Sequence, residues 1–320
     1  MSLIKEALQK NMTRYIIKRF LLIIPVCILV SLIVFCLLDL APGDAAYVMA
    51  SDDMTKEEIE TLREVMGLNQ PVLKRYVAYM WQVLQGNLGI SMRTGAKVWD
   101  QYIARLPTTA KLALYSEIVT IIISIPMGII AARRQNTWID TGATTFSLLG
   151  LSIPNFWLGL LLILLFAVKL GWLPASGNEG FKSFILPAFT VGTGNAASLA
   201  RTTRSSMLDV LRQDYLRTAR AKGCSEKVVV NKHALRNALI PITTIIINQF
   251  SNLFGGAVLT EAIFALPGVA QLSIQAIRNN DYQLVTGCTI LTTFITTFIL
   301  VILDIILAYL DPRVKAMYSK

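Results

Sequence analysis

The chain has a single histidine, His233, and four scattered cysteines (Cys27, Cys36, Cys224 and Cys288) with no CxxC pair. It is also poor in charge: 16% of its 320 residues are Asp, Glu, Lys or Arg, against about a quarter in soluble domains. Each shortage excludes something. Unpaired cysteines give no disulfide scaffold. A lone histidine, with no Ser, Cys or carboxylate at motif spacing, gives no nucleophilic triad, and no cluster has metal-ligand spacing. GxxxxGK[ST] is missing as well; Gly177-Asn-Glu-Gly-Phe-Lys-Ser183 has the wrong spacing for a phosphate loop. The chain is therefore expected to be no enzyme, with no metal and no nucleotide site of its own. What it has in surplus is apolar residues, 54% of the total, gathered in long uncharged runs. Disorder requires the opposite composition, so the expectation is a multi-span membrane protein.

A hydrocarbon core of about 30 Å takes about 20 helical residues to cross. Six stretches qualify: 20–38, 112–132 (interrupted only by Glu117), 141–168, 184–200, 238–260 and 282–303. The third is longer than one crossing needs, which predicts a tilt or a kink at Pro154. The fourth is uncharged but polar, through Thr190, Gly192, Thr193, Gly194 and Asn195. The first is read as an uncleaved span, because it outruns a signal-peptide core and no A-x-A-like site follows. Basic residues then set the orientation. Lys10, Arg14, Lys18 and Arg19, Arg133 and Arg134, the cation-rich stretch 201–236, and Arg313 and Lys315 all fall on one side. Both termini are thus placed in the cytoplasm. The net charge of +10 is a topology signal, and with no soluble basic domain it predicts no nucleic-acid partner.

The fold class read from this is all-α and integral to the membrane, with six transmembrane helices. Its parts are a cytoplasmic segment (1–19), a first span (20–40), an extracytoplasmic helical insertion (41–107), a five-helix core (108–310) holding a cytoplasmic loop at 201–237, and a cytoplasmic tail (311–320). Inside the insertion, Thr55-Lys-Glu-Glu58 has capping-box spacing, and Ile59, Leu62, Val65 and Met66 mark one helical face that Gly67 ends. Pro71 opens a second helix to about Gln85, with Val72, Tyr76, Tyr79, Met80 and Val83 on its buried side. Gly86, Gly89 and Gly95 mark a turn-rich return to the membrane.

Ionisable residues at membrane depth are functional candidates by default. Glu117 and Asp304 lie within spans, and Asp39, Glu261 and Asp311 at span ends, where pairing or a helix terminus explains them. Asn155, Asn195, Ser198, Asn248, Gln249 and Asn252 interrupt otherwise apolar spans. Each either lines a path or joins helices by hydrogen bonds. In the cytoplasmic loop, Asp214 opens a short helix through Tyr215, Arg217, Thr218, Ala219, Arg220, Ala221 and Lys222, stopped by Gly223. It is too polar to enter the membrane and too short to be stable alone. Its small residues allow close approach by a partner; a solvated basic loop against lipid headgroups is the other reading.

This loop, from Asp214-Tyr-Leu-Arg-Thr-Ala-Arg-Ala-Lys-Gly223 to His233-Ala-Leu-Arg-Asn-Ala-Leu-Ile-Pro241, resembles the EAA loop of permease subunits of bacterial ABC importers. The likeness is to the dipeptide, oligopeptide and nickel variant. Arg217-Thr218-Ala219 stands at the EAA positions and His233-Ala-Leu235-Arg236 where I-x-L-P would be. Only Ala219, Gly223 and Leu235 fit the general form, while the subgroup's D-Y-x-R-T-A-R-A-K-G and H-A-L-R-N fit almost throughout. The resemblance continues along the chain in Leu40-Ala-Pro-Gly-Asp44, Gly86-Asn-Leu-Gly89, Arg93-Thr-Gly95 and Arg105-Leu-Pro107. It runs on through Leu151-Ser-Ile-Pro-Asn-Phe-Trp157, Gly171-Trp-Leu-Pro-Ala-Ser-Gly177, Glu261-Ala-Ile-Phe-Ala-Leu-Pro-Gly268, Asp281-Tyr282 and Asp311-Pro-Arg313.

It implies a subunit of the bacterial cytoplasmic membrane, paired with a second, homologous permease around a translocation path. Two ATPase subunits, holding ATP and Mg, would dock on the loops through the 215–222 helix, and an extracytoplasmic binding protein would deliver substrate. Di- or oligopeptides are the first expectation. Nickel or another metal chelate, glutathione or an opine is the alternative, and a proton-coupled carrier using Glu117 or Asp304 a distant one.

Overall fold

The computed structural model describes residues 16–40, 46, 50 and 54–310. Lys10, Arg14, the Leu40-to-Asp44 motif beyond Leu40, and the tail with Asp311, Arg313 and Lys315 lie outside the described residues. Among those described, the chain is helical with no strand beyond an isolated bridge between Ile90 and Lys97.

A helical run from Ile16 to Asp39, of which α1 is Ile23–Asp39, leads to two short helices, α2 (Lys56–Val65) and α3 (Val72–Leu84). The capping box forms as expected: Glu58 N–H donates to Thr55 Oγ1, and Thr55 N–H to Glu58 Oε2 at 2.7 Å. That second bond holds the Glu58 carboxyl below the usual carboxylate range. Ile59, Leu62 and Met66 are half-buried, but Val65 is 79% exposed, so the expected face of α2 lacks its third member. Six residues on from Ile59, Val65 falls about 120° short of two full turns and so points to solvent. On α3, Tyr76 and Tyr79 are buried as expected.

α4 (Val98–Arg133) is 36 residues long and begins well before the apolar run at 112. The insertion assigned to 41–107 and the core assigned from 108 therefore share one continuous helix. The run at 141–168 divides into α5 (Trp138–Ser152) and α6 (Asn155–Leu162), the latter continued by a π-helical turn to Lys169. The two are bent by 95°, far more than a kink. Ile153 is extended (ψ 121°) ahead of Pro154, as the ring of a following proline demands.

α7 (Lys182–Leu211) is the central helix. Half its residues are buried, among them Gly192, Ala196, Ala197 and Ala200. It is long enough to cross a membrane but too polar to qualify by composition. The helices that do qualify are Ile16–Asp39, Val98–Arg133, Glu226–Gly255 and Tyr282–Leu307, with the bent pair as a fifth. A helix wrapped by others needs no lipid-matched surface, so small and hydroxylated residues serve it better.

After the short α8 (Asp214–Ala221), a π-helical turn at Val229–Ala234 feeds α9 (Leu235–Gly256). The apolar run at 238–260 breaks at Ala257, and α10 (Val258–Ile263) is separate. α11 (Val269–Arg278) and α12 (Tyr282–Leu310) complete the chain.

One polar hub joins α4, α10 and α11. Glu261 is fully buried; Thr109 Oγ1 donates to its Oε1 at 2.7 Å and Gln271 N–H to its Oε2 at 2.9 Å. Thr109 Oγ1 in turn accepts from Val269 N–H at 2.9 Å. Gly268 is required here, since a Cβ would sit 2.0 Å from Oε1. Thr109→Val should orphan both the carboxylate oxygen and the Val269 amide, costing about 1–3 kcal/mol. A lower melting temperature of the purified protein, with Thr109→Ser close to wild type, is the expected readout.

Candidate functional site

The short helix of the 201–237 loop forms where the sequence puts it. Asp214 is its first helical residue and Gly223 follows its end at φ +81°. Gly223 N–H donates to Arg220 O and Cys224 N–H to Ala219 O at 2.9 and 3.3 Å, the paired bonds of a left-handed helix stop. Such a short helix needs anchoring, and three contacts supply it. Leu216 is fully buried in a cluster with Leu199 and Met207 of α7, Val229 and Val230 of the π turn, and Ile242 of α9. Tyr215 Oη accepts from Asn237 Nδ2 at 2.6 Å. Arg220 grips Glu226 with two bonds of 3.0–3.1 Å. The Asp214–Arg217 pair at 3.5 Å is fully in solvent and adds little.

The remaining surface of α8 faces outward: Asp214, Arg217, Thr218, Ala221 and Lys222 are exposed, and Ala219 is half-buried against the cluster. α8 is thus a prong pinned by one leucine to the C-terminal part of α7 and the N-terminal part of α9, presenting small and basic side chains. Leu216 was not singled out from the sequence. The signal was there, since it is the lone aliphatic residue larger than alanine between Asp214 and Gly223.

The polar candidates separate into groups. Gln249 of α9 donates through Nε2 to Asn195 O of α7 at 3.1 Å, while its Oε1 is buried without a partner among the described residues. Asn155, at the start of α6, lies so close to Gly194 that a Cβ there would come within 2.5 Å of its Oδ1. Asn155, Asn195 and Gln249 therefore converge on the middle of α7. Ser198 is half-buried one turn further on. Asn248 turns back onto its own helix, donating to Thr244 O at 2.7 Å, and Asn252 is exposed.

The carboxylates also part company. Asp304 pairs with Arg19 at 3.0 Å, and Asp39 with Arg75 at 2.6 Å. Glu117 is 5% exposed, and neither of its oxygens has a hydrogen-bond partner among the described residues. A pair that the sequence did not reveal is the buried Asp140 with the half-buried Arg204, joined through Nη2 at 2.7 Å and through Nε. It ties the start of α5 to α7. Among the described residues no cluster could hold a metal ion.

Comparison with known proteins puts this geometry in a family. Residues 124–316 match the model of the binding-protein-dependent transport system inner membrane component, and residues 12–113 that of the N-terminal membrane component of such systems. The oligopeptide transport system permease protein AppB of Bacillus subtilis is 40% identical over 315 residues, spanning 95% of this chain and 100% of AppB. The glutathione transport system permease protein GsiC of Escherichia coli is 39% identical over 304 residues, spanning 95% and 99%. Among solved structures, the inward-facing MetNI methionine ABC transporter overlays with a TM-score of 0.55, over 66% of this chain and 96% of that one. At 19% identity, the overlay speaks for the fold.

Leu216→Ala should cost about 2–5 kcal/mol, as other deletions of fully buried leucines do, and release α8 from the bundle. Amide exchange over residues 214–223 should accelerate while exchange in α4 and α7 stays protected.

Proposed function

The chain belongs to the inner-membrane-component family of binding-protein-dependent transport systems, and on that premise we propose that it is a permease subunit of an ATP-driven importer of di- or oligopeptides. The peptide assignment draws on AppB and GsiC, whose named substrates are oligopeptides and the tripeptide glutathione. In this reading α7 is the fourth of six spans, the α5–α6 pair the third, and α2 and α3 belong to the extracytoplasmic side, with both termini in the cytoplasm. A second, homologous permease completes the path, which Asn155, Asn195 and Gln249 line at mid-membrane. A binding protein delivers the peptide from outside. ATP and Mg belong to two partner ATPases, and this chain acts as their transducer, not as an enzyme.

The observation that carries the proposal is the mounting of α8. A short helix transmits force only if it is held on one side and free on the other. Leu216, Tyr215 and Arg220 hold it; Thr218, Ala221 and Lys222 are free. Docking of an ATPase against that free face, closed by ATP, pushes α8 and with it the inner ends of α7 and α9. The buried Glu117, unpartnered among the described residues, favours a second reading, in which this chain alone carries solute with protons. Transport by the lone chain in liposomes, driven by a pH gradient, would establish it.

Ala221→Trp tests the first reading on an exposed position that the fold tolerates. Uptake of a labelled dipeptide by cells should fall about tenfold or more, the effect of losing about 1.4 kcal/mol of docking energy. The ATPase subunits should no longer copurify, and the amount of permease in the membrane should be unchanged. Normal uptake would remove α8 from the coupling route.

A further inference from the structure

α3 packs on α1 through three neighbouring side chains. Arg75 pairs with Asp39, and the Tyr79 and Tyr76 rings both meet Phe35, at 6.2 and 5.6 Å. Tyr76 Oη reaches further along α1, donating to Ile28 O at 2.8 Å and meeting Ser31 Oγ at 2.9 Å. Ile28 and Asp39 are about 16 Å apart along a helix rising 1.5 Å per residue, so α3 is tied to α1 over much of its length.

The two sides of α3 face different surroundings. Its Arg75 side borders a cavity of about 420 Å³ shared with Asp39, Gln82 and Gln283. Its other side overhangs an apolar groove of about 1240 Å³, walled by Ile24 and Ile28 of α1, Phe294 of α12 and Trp81 of α3, with Trp99 and Lys74 also along it. Leu73, Val77, Trp81 and Leu84 recur on α3 at helical spacing and are each 64–75% exposed. Leaving such side chains in water costs about 1.5–3 kcal/mol apiece.

Three observations say what covers them. The α1 wall lies within the uncharged run 20–38 and is continuous with the exposed apolar side chains Leu21, Leu29 and Ile33, so hydrocarbon stands opposite it. Trp81 and Trp99 suit the boundary where tails meet headgroups. Lys74 neighbours the Arg75–Asp39 pair at the span's polar end and supplies a cation for a phosphate. We propose that the groove under α3 binds a membrane phospholipid, one acyl chain lying against α1 and α12 and the phosphate meeting the Lys74 ammonium. The proposal rests on the chain's place in the membrane; the orientation proposed above decides only which leaflet supplies the lipid.

The test uses the whole transporter in vesicles of phosphatidylethanolamine and phosphatidylglycerol, with some phosphatidylglycerol carrying a diazirine in its acyl chain. After irradiation, mass spectrometry should find about fivefold more lipid adduct at Trp81, Trp99 and Cys27 than at the exposed Phe146 and Phe156, an enrichment equivalent to about 1 kcal/mol of preference. Ile24→Trp, which fills the groove, should abolish that excess and leave the two control positions unchanged. Lys74→Gln should lower it for phosphatidylglycerol more than for a diazirine-bearing phosphatidylethanolamine. Equal labelling at groove and control positions would overturn the proposal. So would capture of the second permease, or of residues 1–15 of this chain, by a photoreactive side chain placed at Val77.

Discussion

α4 and α7 touch backbone to backbone, and the rest of the bundle is arranged around that contact. A Cβ on Gly192 would stand 2.8 Å from Ser116 O, and one on Gly128 would stand 2.5 Å from Thr203 Cβ and 2.8 Å from Ala200 O. Neither glycine has positive φ; both are required by proximity alone. The gap between the helices is closed by a hydrogen bond from Thr120 Oγ1 to Gly192 O at 3.1 Å. In a bilayer, where lipid tails are as apolar as leucine, such close small-residue packing is a main source of helix association.

Two consequences follow from having this pair at the centre. What is attached to either end of one helix is thereby packed against the other. At the end near α8, Met207 of α7 and Ala132 of α4 both pack in the cluster that holds Leu216, and the Asp140–Arg204 bridge adds α5 to the same unit. At the opposite end, Thr109 of α4 ties to Glu261 and Val269, and so to α10 and α11. α8 and the Glu261 hub are thus attached to opposite ends of one closely packed pair of helices.

This arrangement explains which parts of the molecule the sequence announced. α8 was legible because its signals are local: an acidic first residue, small and helix-forming residues, and a glycine stop within ten positions. The apolar runs gave α1, α4 and α12 because lipid-facing helices must be apolar on their outside. α7 was hard to place for the converse reason, as its central position selects Gly, Ala and Thr, which a hydropathy argument penalises. The 95° turn at Pro154 exceeded expectation because proline fixes where a helix breaks, whereas the packing of α6 against α7 and Phe264 fixes the angle. The Asp140–Arg204 and Thr109–Glu261 contacts join residues 64 and 152 positions apart, and no pattern in a single sequence pairs them.

The same contrast orders the carboxylates. A charge at membrane depth costs several kcal/mol unless it is matched, and matching can come from a cation, from hydrogen-bond donors, or from water admitted by movement. Asp304 and Asp39 have cations beside them, Arg19 and Arg75, and Glu261 has donors that α4 and α11 bring to it. Each of these sites is closed by the chain's own structure. Glu117 lies on α4 beside Ser116, the residue whose carbonyl meets Gly192, and has neither kind of match among the described residues. Of these four carboxylates it alone is buried and unmatched among the described residues.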